Sequence, residues 1–271
     1  VVETVKMEKF DWKTTIKMNI FSLRIIGLWP KGDGVYKLDF YSLYAAISVI
    51  FFIDCLGILQ ITSLFFAYSD FEDLTEMAVI SMSELLTVIK VCIFIKNMGL
   101  LKSLMATLDS DMFQPKNIDQ ILMVAPALNL WKTIYNVFFA AGGIATSLLV
   151  ILPLLDGSKN FQLPLTIWYP HDINSSPLYE IMYFHQVISL FFILTAIYNI
   201  DMLISALMMY IGAQCDILCN NLRNFSTDGG EDFNKILIHL IKHHRSILRF
   251  FALLGVILLC CEASPFQNEK F

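Results

Sequence analysis

The histidines of this chain gather mainly at one place. The run HLIKHH contains His239, His243 and His244, and on a helix the first two stand one turn apart on the same face. Neutral imidazoles at that spacing can share a metal ion. Cys215 and Cys219 repeat the one-turn spacing with soft sulfur ligands. Asp54, Glu84 and Asp201 lie inside strongly apolar runs. A carboxyl group there is costly, and it marks an ion path, a proton relay or a paired structural group. Glycine-rich phosphate loops, paired catalytic carboxylates and a Ser-His-Asp set do not occur in the sequence.

The HLIKHH spacing resembles one histidine box of the membrane di-iron desaturases. That resemblance implies more histidine ligands than the five in the chain, and His171 and His185 fall on the other side of the membrane in the topology derived below. The run is therefore read as the basic, interfacial start of a helix, and no enzyme activity, metal or cofactor is expected. The cysteine pair has no companion ligands, and the six cysteines form no paired framework, so they read as small apolar residues. For the three carboxylates, pairing within a helix bundle is preferred over a relay.

The elements that must position these residues are set by composition. Of 271 residues, 56% are hydrophobic and 16% charged, against about 25% charged in soluble domains. The deficit falls in runs such as Tyr41–Tyr68 and Val137–Leu155, and about 20 apolar residues cross a bilayer as a helix. The expected fold is all-α, a polytopic membrane helical bundle. After a polar N-terminal segment (1–40), spans are expected at 41–68, 75–95, 131–155, 177–213 and 239–261, followed by a tail at 262–271. The second span is the least apolar, with Glu76, Glu84 and Lys90. The fourth is long enough to project beyond the membrane. Val1–Lys37 has no signal-peptide pattern, and a net charge of −5 leaves no nucleic-acid footprint.

Basic residues orient the bundle. Lys6, Lys9, Lys13, Lys17, Arg24, Lys31 and Lys37 precede the first span, and SDFEDL after it has none. Lys96, Lys102 and Lys116 lie between the second and third spans, with Lys132 at the start of the third; only Lys159 lies between the third and fourth; and Arg223 and Lys235 follow the fourth, with Lys242, Arg245 and Arg249 entering the fifth. The N-terminus is expected in the cytoplasm. The stretch DGSKNFQLPLTIWYPHDINSSP is then extracellular, and Asn174-Ser175-Ser176 is a glycosylation acceptor on the permitted side. Asn224-Phe225-Ser226 matches the same pattern on the cytoplasmic side and is expected to stay bare. Pro177 is expected as the first residue of the fourth helix, with Ser176 capping and Glu180 meeting the helix dipole. NFSTDGGEDFN (Asn224–Asn234) reads as a linker. Ala140-Ala141-Gly142-Gly143 reads as a packing patch rather than a ligand notch.

The remaining candidate site is a ligand pocket. The outer ends of the second, third and fourth spans share a depth and carry Met77, Ile80 and Ser81; Thr146, Ser147 and Val150; and Tyr179, Tyr183, Phe184 and Val187. A few hydroxyls and soft methionine among apolar walls suit a small hydrophobic ligand. Plain packing or lipid contact competes with that reading.

LRIIGLWP (Leu23–Pro30), SPLYEIMYFHQ (Ser176–Gln186), YNIDMLISALMMYIGAQCDILCNNL (Tyr198–Leu222) and HHRSILRF (His243–Phe250) resemble, in order and spacing, the insect odorant receptors. The resemblance covers roughly Ile20 to Ala252. It implies a seven-span subunit of the plasma membrane of sensory dendrites, unrelated to G-protein-coupled receptors. Such subunits assemble with a shared co-receptor as a ligand-gated cation channel and bind a small hydrophobic odorant in the outer half of the bundle. After Phe251 the sequence ALLGVILLCCEASPFQNEKF lacks the family's sixth and seventh spans, including the gate helix, so a non-conducting fragment or isoform, from a truncated gene model, a splice form or a pseudogene, is expected. A gustatory-type receptor is the near alternative, and a desaturase-like enzyme the distant one. A transporter would bring internal repeats, and none is found.

Overall fold

The computed structural model describes residues 9–32, 36, 39–66, 71–155, 162–165, 167–169, 173, 175–224 and 233–262. The acceptor Asn174, His171, residues 225–232 of the linker and the tail from 263 lie outside them. Among the described residues every regular element is helical: α1 Lys17–Ile25, α2 Phe40–Ser48, α3 Cys55–Phe66, α4 Phe71–Lys96, α5 Met98–Leu108, α6 Ile118–Leu155, α7 Leu178–Asn224 and α8 Phe233–Glu262. Short 3-10 turns occupy Trp12–Thr14 and Asp111–Phe113, and a π-helical stretch, Val49–Asp54, joins α2 to α3. The chain is an all-helical membrane bundle.

Four helices among the described residues are long and apolar enough to cross a membrane: Phe40–Phe66, Met77–Lys96, Ile118–Leu155 and Leu178–Asn224. Their outward faces keep large apolar side chains exposed, among them Phe65, Phe66, Leu152, Leu155 and Phe184. Such surfaces are stable against lipid, and helices satisfy their backbone groups without water. The fifth expected span falls within α8, whose first seventeen residues carry Lys235, Lys242, Arg245 and Arg249.

The chain divides into two compact units. One comprises 20–96 and 136–201. Its N-terminal anchor is LRIIGLWP, where α1 ends and the backbone reverses: Gly27 takes φ +88°, and Leu28 N–H donates to the Leu23 carbonyl at 2.8 Å. A Cβ at Gly27 would come within 2.7 Å of Ala45 Cα, so only glycine lets this turn lie against α2. Tyr41 hydroxyl reaches the carbonyls of Arg24 and Trp29, each at 3.0 Å, and Tyr44 hydroxyl donates to the Ile25 carbonyl. These tyrosines close the frayed end of α1.

The π stretch has a specific neighbour. His185 Nε2 lies 3.0 Å from the Phe51 carbonyl, and its ring meets Phe51 edge-on at 4.9 Å. A carbonyl only accepts, so this nitrogen carries the proton. α3 packs against α4, and because only four residues separate them in the sequence, the pair is antiparallel. In the same unit α6 approaches α7 at the expected small-residue patch: a Cβ on Gly142 would sit 3.2 Å from Leu194 Cδ1, whereas Gly143 faces open space. Lys90 and Asp201 pair at 2.8 and 2.9 Å, joining α4 to α7. Asp201 is thus a partnered carboxylate.

The other unit comprises 1–19, 97–135 and 202–271. Trp12 is fully buried, and its carbonyl accepts from Tyr210 hydroxyl at 2.7 Å. Lys13 pairs with Asp109. Gln214, fully buried on α7, donates to the Phe113 carbonyl at 3.0 Å and contacts His243 Nε2 at 3.0 Å. Lys116 Nζ lies 3.0 Å from His239 Nε2. Two histidines of the HLIKHH run, His239 and His243, are thus used as polar stitches. Asn117 caps α6 by accepting the Gln120 amide at 2.9 Å, so this helix starts well before the expected span.

Candidate ligand-binding site

The connector ahead of α7 is built into the helices around it. Gln186, fully buried on α7, accepts the Leu165 amide at 2.9 Å through Oε1 and donates from Nε2 to the Leu165 carbonyl at 3.2 Å and to Tyr169 hydroxyl at 3.1 Å. One amide therefore satisfies both backbone groups of a buried loop residue, which otherwise would have no partner away from water. Burial holds the Tyr169 phenol above its ordinary pKa, against the lowering effect of the Gln186 hydrogen bond. Trp168 amide donates to Ser63 Oγ on α3 at 2.7 Å, and its indole stacks on Phe66 at 4.2 Å. Tyr179 hydroxyl donates to the Gln162 carbonyl at 2.8 Å. Residues 162–165 and 167–169 thus pack, as a roof, against the last turn of α3 and the first turns of α7.

Pro177 sits one position earlier than expected. Helix α7 begins at Leu178, and the Pro177 carbonyl accepts the Ile181 amide at 3.2 Å, which makes proline the capping residue rather than the first helical one. The Ser175 carbonyl takes the Tyr179 amide at 3.1 Å, so backbone closes this turn where the Ser176 side chain was expected to. Glu180 stands exposed in the first turn, at the positive end of the helix.

The sequence-predicted site residues all belong to one unit. Tyr183, buried, donates its hydroxyl to the Val150 carbonyl at 2.5 Å and meets the Tyr179 ring at 5.8 Å. This ties the outer end of α6 to that of α7 and brings Val150, Tyr179 and Tyr183 together. Thr146 and Ser147 follow one turn deeper on α6, partly buried, with Ser147 Oγ turned back onto the Gly143 carbonyl at 2.7 Å. Val187 is partly buried one turn below Tyr183, while Phe184 is 65% exposed and projects from the bundle. On α4, Met77 and Ser81 are buried and Ile80 partly so; the link from α4 to α7 is made deeper, at Lys90 and Asp201.

Sequence reasoning missed Gln186, Ser63 and Trp168. The usable signal was chemical: a glutamine and a serine on otherwise apolar faces need partners, and a neighbouring loop rich in backbone donors supplies them. An open groove of about 470 Å³, lined by Asp39, Phe40, Ser42, Leu43 and Ala46, lies at the start of α2 and includes none of the predicted residues. Among the described residues no three His, Cys, Asp or Glu side chains cluster as metal ligands, and Cys55, Cys92, Cys215 and Cys219 are free thiols.

No curated protein matches the chain. Among solved structures it is similar to the insect olfactory receptor OR5 from Machilis hrabei in complex with eugenol, with a TM-score of 0.73 and 18% identity over 93% of this chain and 67% of that one. A second structure of that receptor aligns with a TM-score of 0.64 and 17% identity, over 96% of this chain and 72% of the other. At such identities the likeness establishes the fold. The family described as 7tm Odorant receptor matches residues 70–258, a segment that contains every predicted site residue and the roof. These receptors are membrane proteins that bind small odorants, and they are not enzymes. By that match over more than half its length, the chain belongs to the 7tm odorant receptor family.

Proposed function

We propose that this chain binds a small hydrophobic odorant beneath the roof at 162–169, in the outer half of the unit formed by 20–96 and 136–201. Met77, Ile80, Ser81, Thr146, Ser147, Val150, Tyr179, Tyr183, Phe184 and Val187 are the residues assigned to it, with Phe184 on its lipid-facing side. The observation that carries the reading is the Tyr183 hydroxyl on the Val150 carbonyl. It draws two of the three contributing helices together beside a connector that Gln186 holds in place. Apolar walls with few polar groups are what a volatile, weakly polar molecule requires.

Within the family's mode of action, the bound odorant acts on a cation channel assembled with a co-receptor in the plasma membrane of sensory dendrites. The occupied state is favoured only by as much as the odorant binds it better than the resting state. The test is a thermal shift of the full chain in lipid nanodiscs against a panel of apolar volatiles. A ligand present at a hundred times its Kd stabilises the protein by about 2.7 kcal/mol, a readily measured rise in Tm. Stabilisation by at least one volatile, reduced in Tyr183→Ala, is expected. A flat response across the panel counts against odorant binding.

A further inference from the structure

Three buried polar side chains on α3 and α4 have no hydrogen-bond partner for an atom sealed from solvent: Gln60 Oε1, Ser81 Oγ and Glu84 Oε2. Their residues are 1%, 3% and 5% exposed. Neighbouring hydroxyls on the same helices are satisfied, since Ser63 Oγ donates to the Leu59 carbonyl and Thr87 Oγ1 to the Ser83 carbonyl, both at 2.8 Å. Of the other sealed, unpartnered atoms in this unit, Ser42 Oγ, Asp54 Oδ1 and Ser189 Oγ fall on separate elements, whereas three fall on this one helix pair. Buried polar groups are nearly always hydrogen-bonded, and within a bilayer an ionisable one points to function.

The three groups face the same seam. A Cβ on Gly57 would lie 4.0 Å from Val88 Cγ2, which fixes where α3 and α4 stand level. Gln60 is three residues beyond Gly57, and Glu84 is four residues before Val88. In an antiparallel pair these steps run in the same direction, by about 4.5 and 6 Å. Ser81 follows one turn further out, on the same buried face of α4 as Met77. Glutamine and glutamate side chains are long enough to turn towards a group seated at Ser81.

We propose that Ser81, Glu84 and Gln60 form a hydrogen-bonding floor beneath the candidate site that recognises the hydroxyl group of a small, otherwise apolar alcohol. The inference rests on the odorant-binding reading and gives it a ligand class. A neutral hydroxyl both donates and accepts, as this set requires, and it crosses lipid at far lower cost than an ammonium group. An ether of the same size brings no donor, so it leaves the buried oxygens unpaired; a site built to bond a hydroxyl discriminates strongly against analogues that lack it.

The experiment compares primary alcohols from pentanol to nonanol with methyl ethers of equal heavy-atom count, and with hexylamine. Apparent affinities come from thermal shifts of the full chain in nanodiscs. The wild type is expected to bind the best alcohol about tenfold or more tightly than its ether. Glu84→Leu is expected to bring that ratio close to one, Glu84→Gln to retain most of it, and Ser81→Ala to lower it, so that no single variant's folding decides the outcome. Equal alcohol and ether affinity in the wild type, an alcohol preference that survives both Glu84→Leu and Ser81→Ala, or tighter binding of hexylamine overturns the floor while leaving odorant binding intact. Binding of none of the panel overturns both.

Discussion

At the scale of single residues, the roof depends on Gln186. Its amide supplies both an acceptor and a donor to Leu165, which is itself 5% exposed. Gln186→Leu removes both and leaves a buried N–H and C=O unpaired, a loss of about 2 kcal/mol or more. The expected result is a lowered Tm and faster hydrogen exchange at the Leu165 amide; an unchanged exchange rate would show that the connector is held by other contacts. Tyr183→Phe deletes one hydrogen bond, to the Val150 carbonyl, and is expected to cost about 1 kcal/mol. The two residues also differ in legibility. Tyr179 and Tyr183 stand one helical turn apart, so their contact follows from spacing. The partner of Gln186 is 21 residues away on a connector with no periodicity, and a sequence carries no register for such a pair.

At the scale of elements, two glycines separate a backbone constraint from a side-chain one. At Gly27 both the positive φ and the approach to Ala45 Cα oppose a Cβ, and backbone atoms yield little. Gly27→Ala is expected to destabilise by about 2 kcal/mol or more, a cost typical of strained backbone combined with overpacking. At Gly142 the obstacle is the tip of the Leu194 side chain, which can rotate. Gly142→Ala should therefore cost under about 1 kcal/mol, and Leu194→Ala in the same chain should remove that cost. Comparing the two by thermal unfolding tests the distinction, and equal losses would contradict it. The helices themselves were largely legible, because lipid-crossing segments announce themselves by length and apolarity. The early start of α6 was not: the helix begins at the Asn117 cap, outside the most apolar run, and continues through Pro126 despite the backbone donor that proline lacks. The π turn at Val49–Asp54 was not either, because VIFFID contains nothing that favours its hydrogen-bond pattern; the partner at His185 comes from a distant helix.

At the scale of the whole molecule, the division into two units follows from contacts that span most of the chain, such as Tyr210 with Trp12, 198 positions apart. Hydropathy has no access to such pairs, so a sequence reading arrives at a row of spans and not at their grouping. Topology is different, because it is written in local charge. The segment before the first span has Lys6, Lys9, Lys13, Lys17, Arg24, Lys31 and Lys37, whereas the connector between the third and fourth spans has only Lys159. Basic flanks are retained on the cytoplasmic side, which predicts residues 156–176 outside and 225–232 inside. In a background whose native cysteines are replaced by serine, Ser158→Cys is therefore expected to react with a membrane-impermeant maleimide on intact cells. Thr227→Cys should react only after permeabilisation. The opposite pattern would turn the roof of Trp168 and Gln186 towards the cytosol, and the cleft beneath it would then open away from the side on which an airborne ligand arrives.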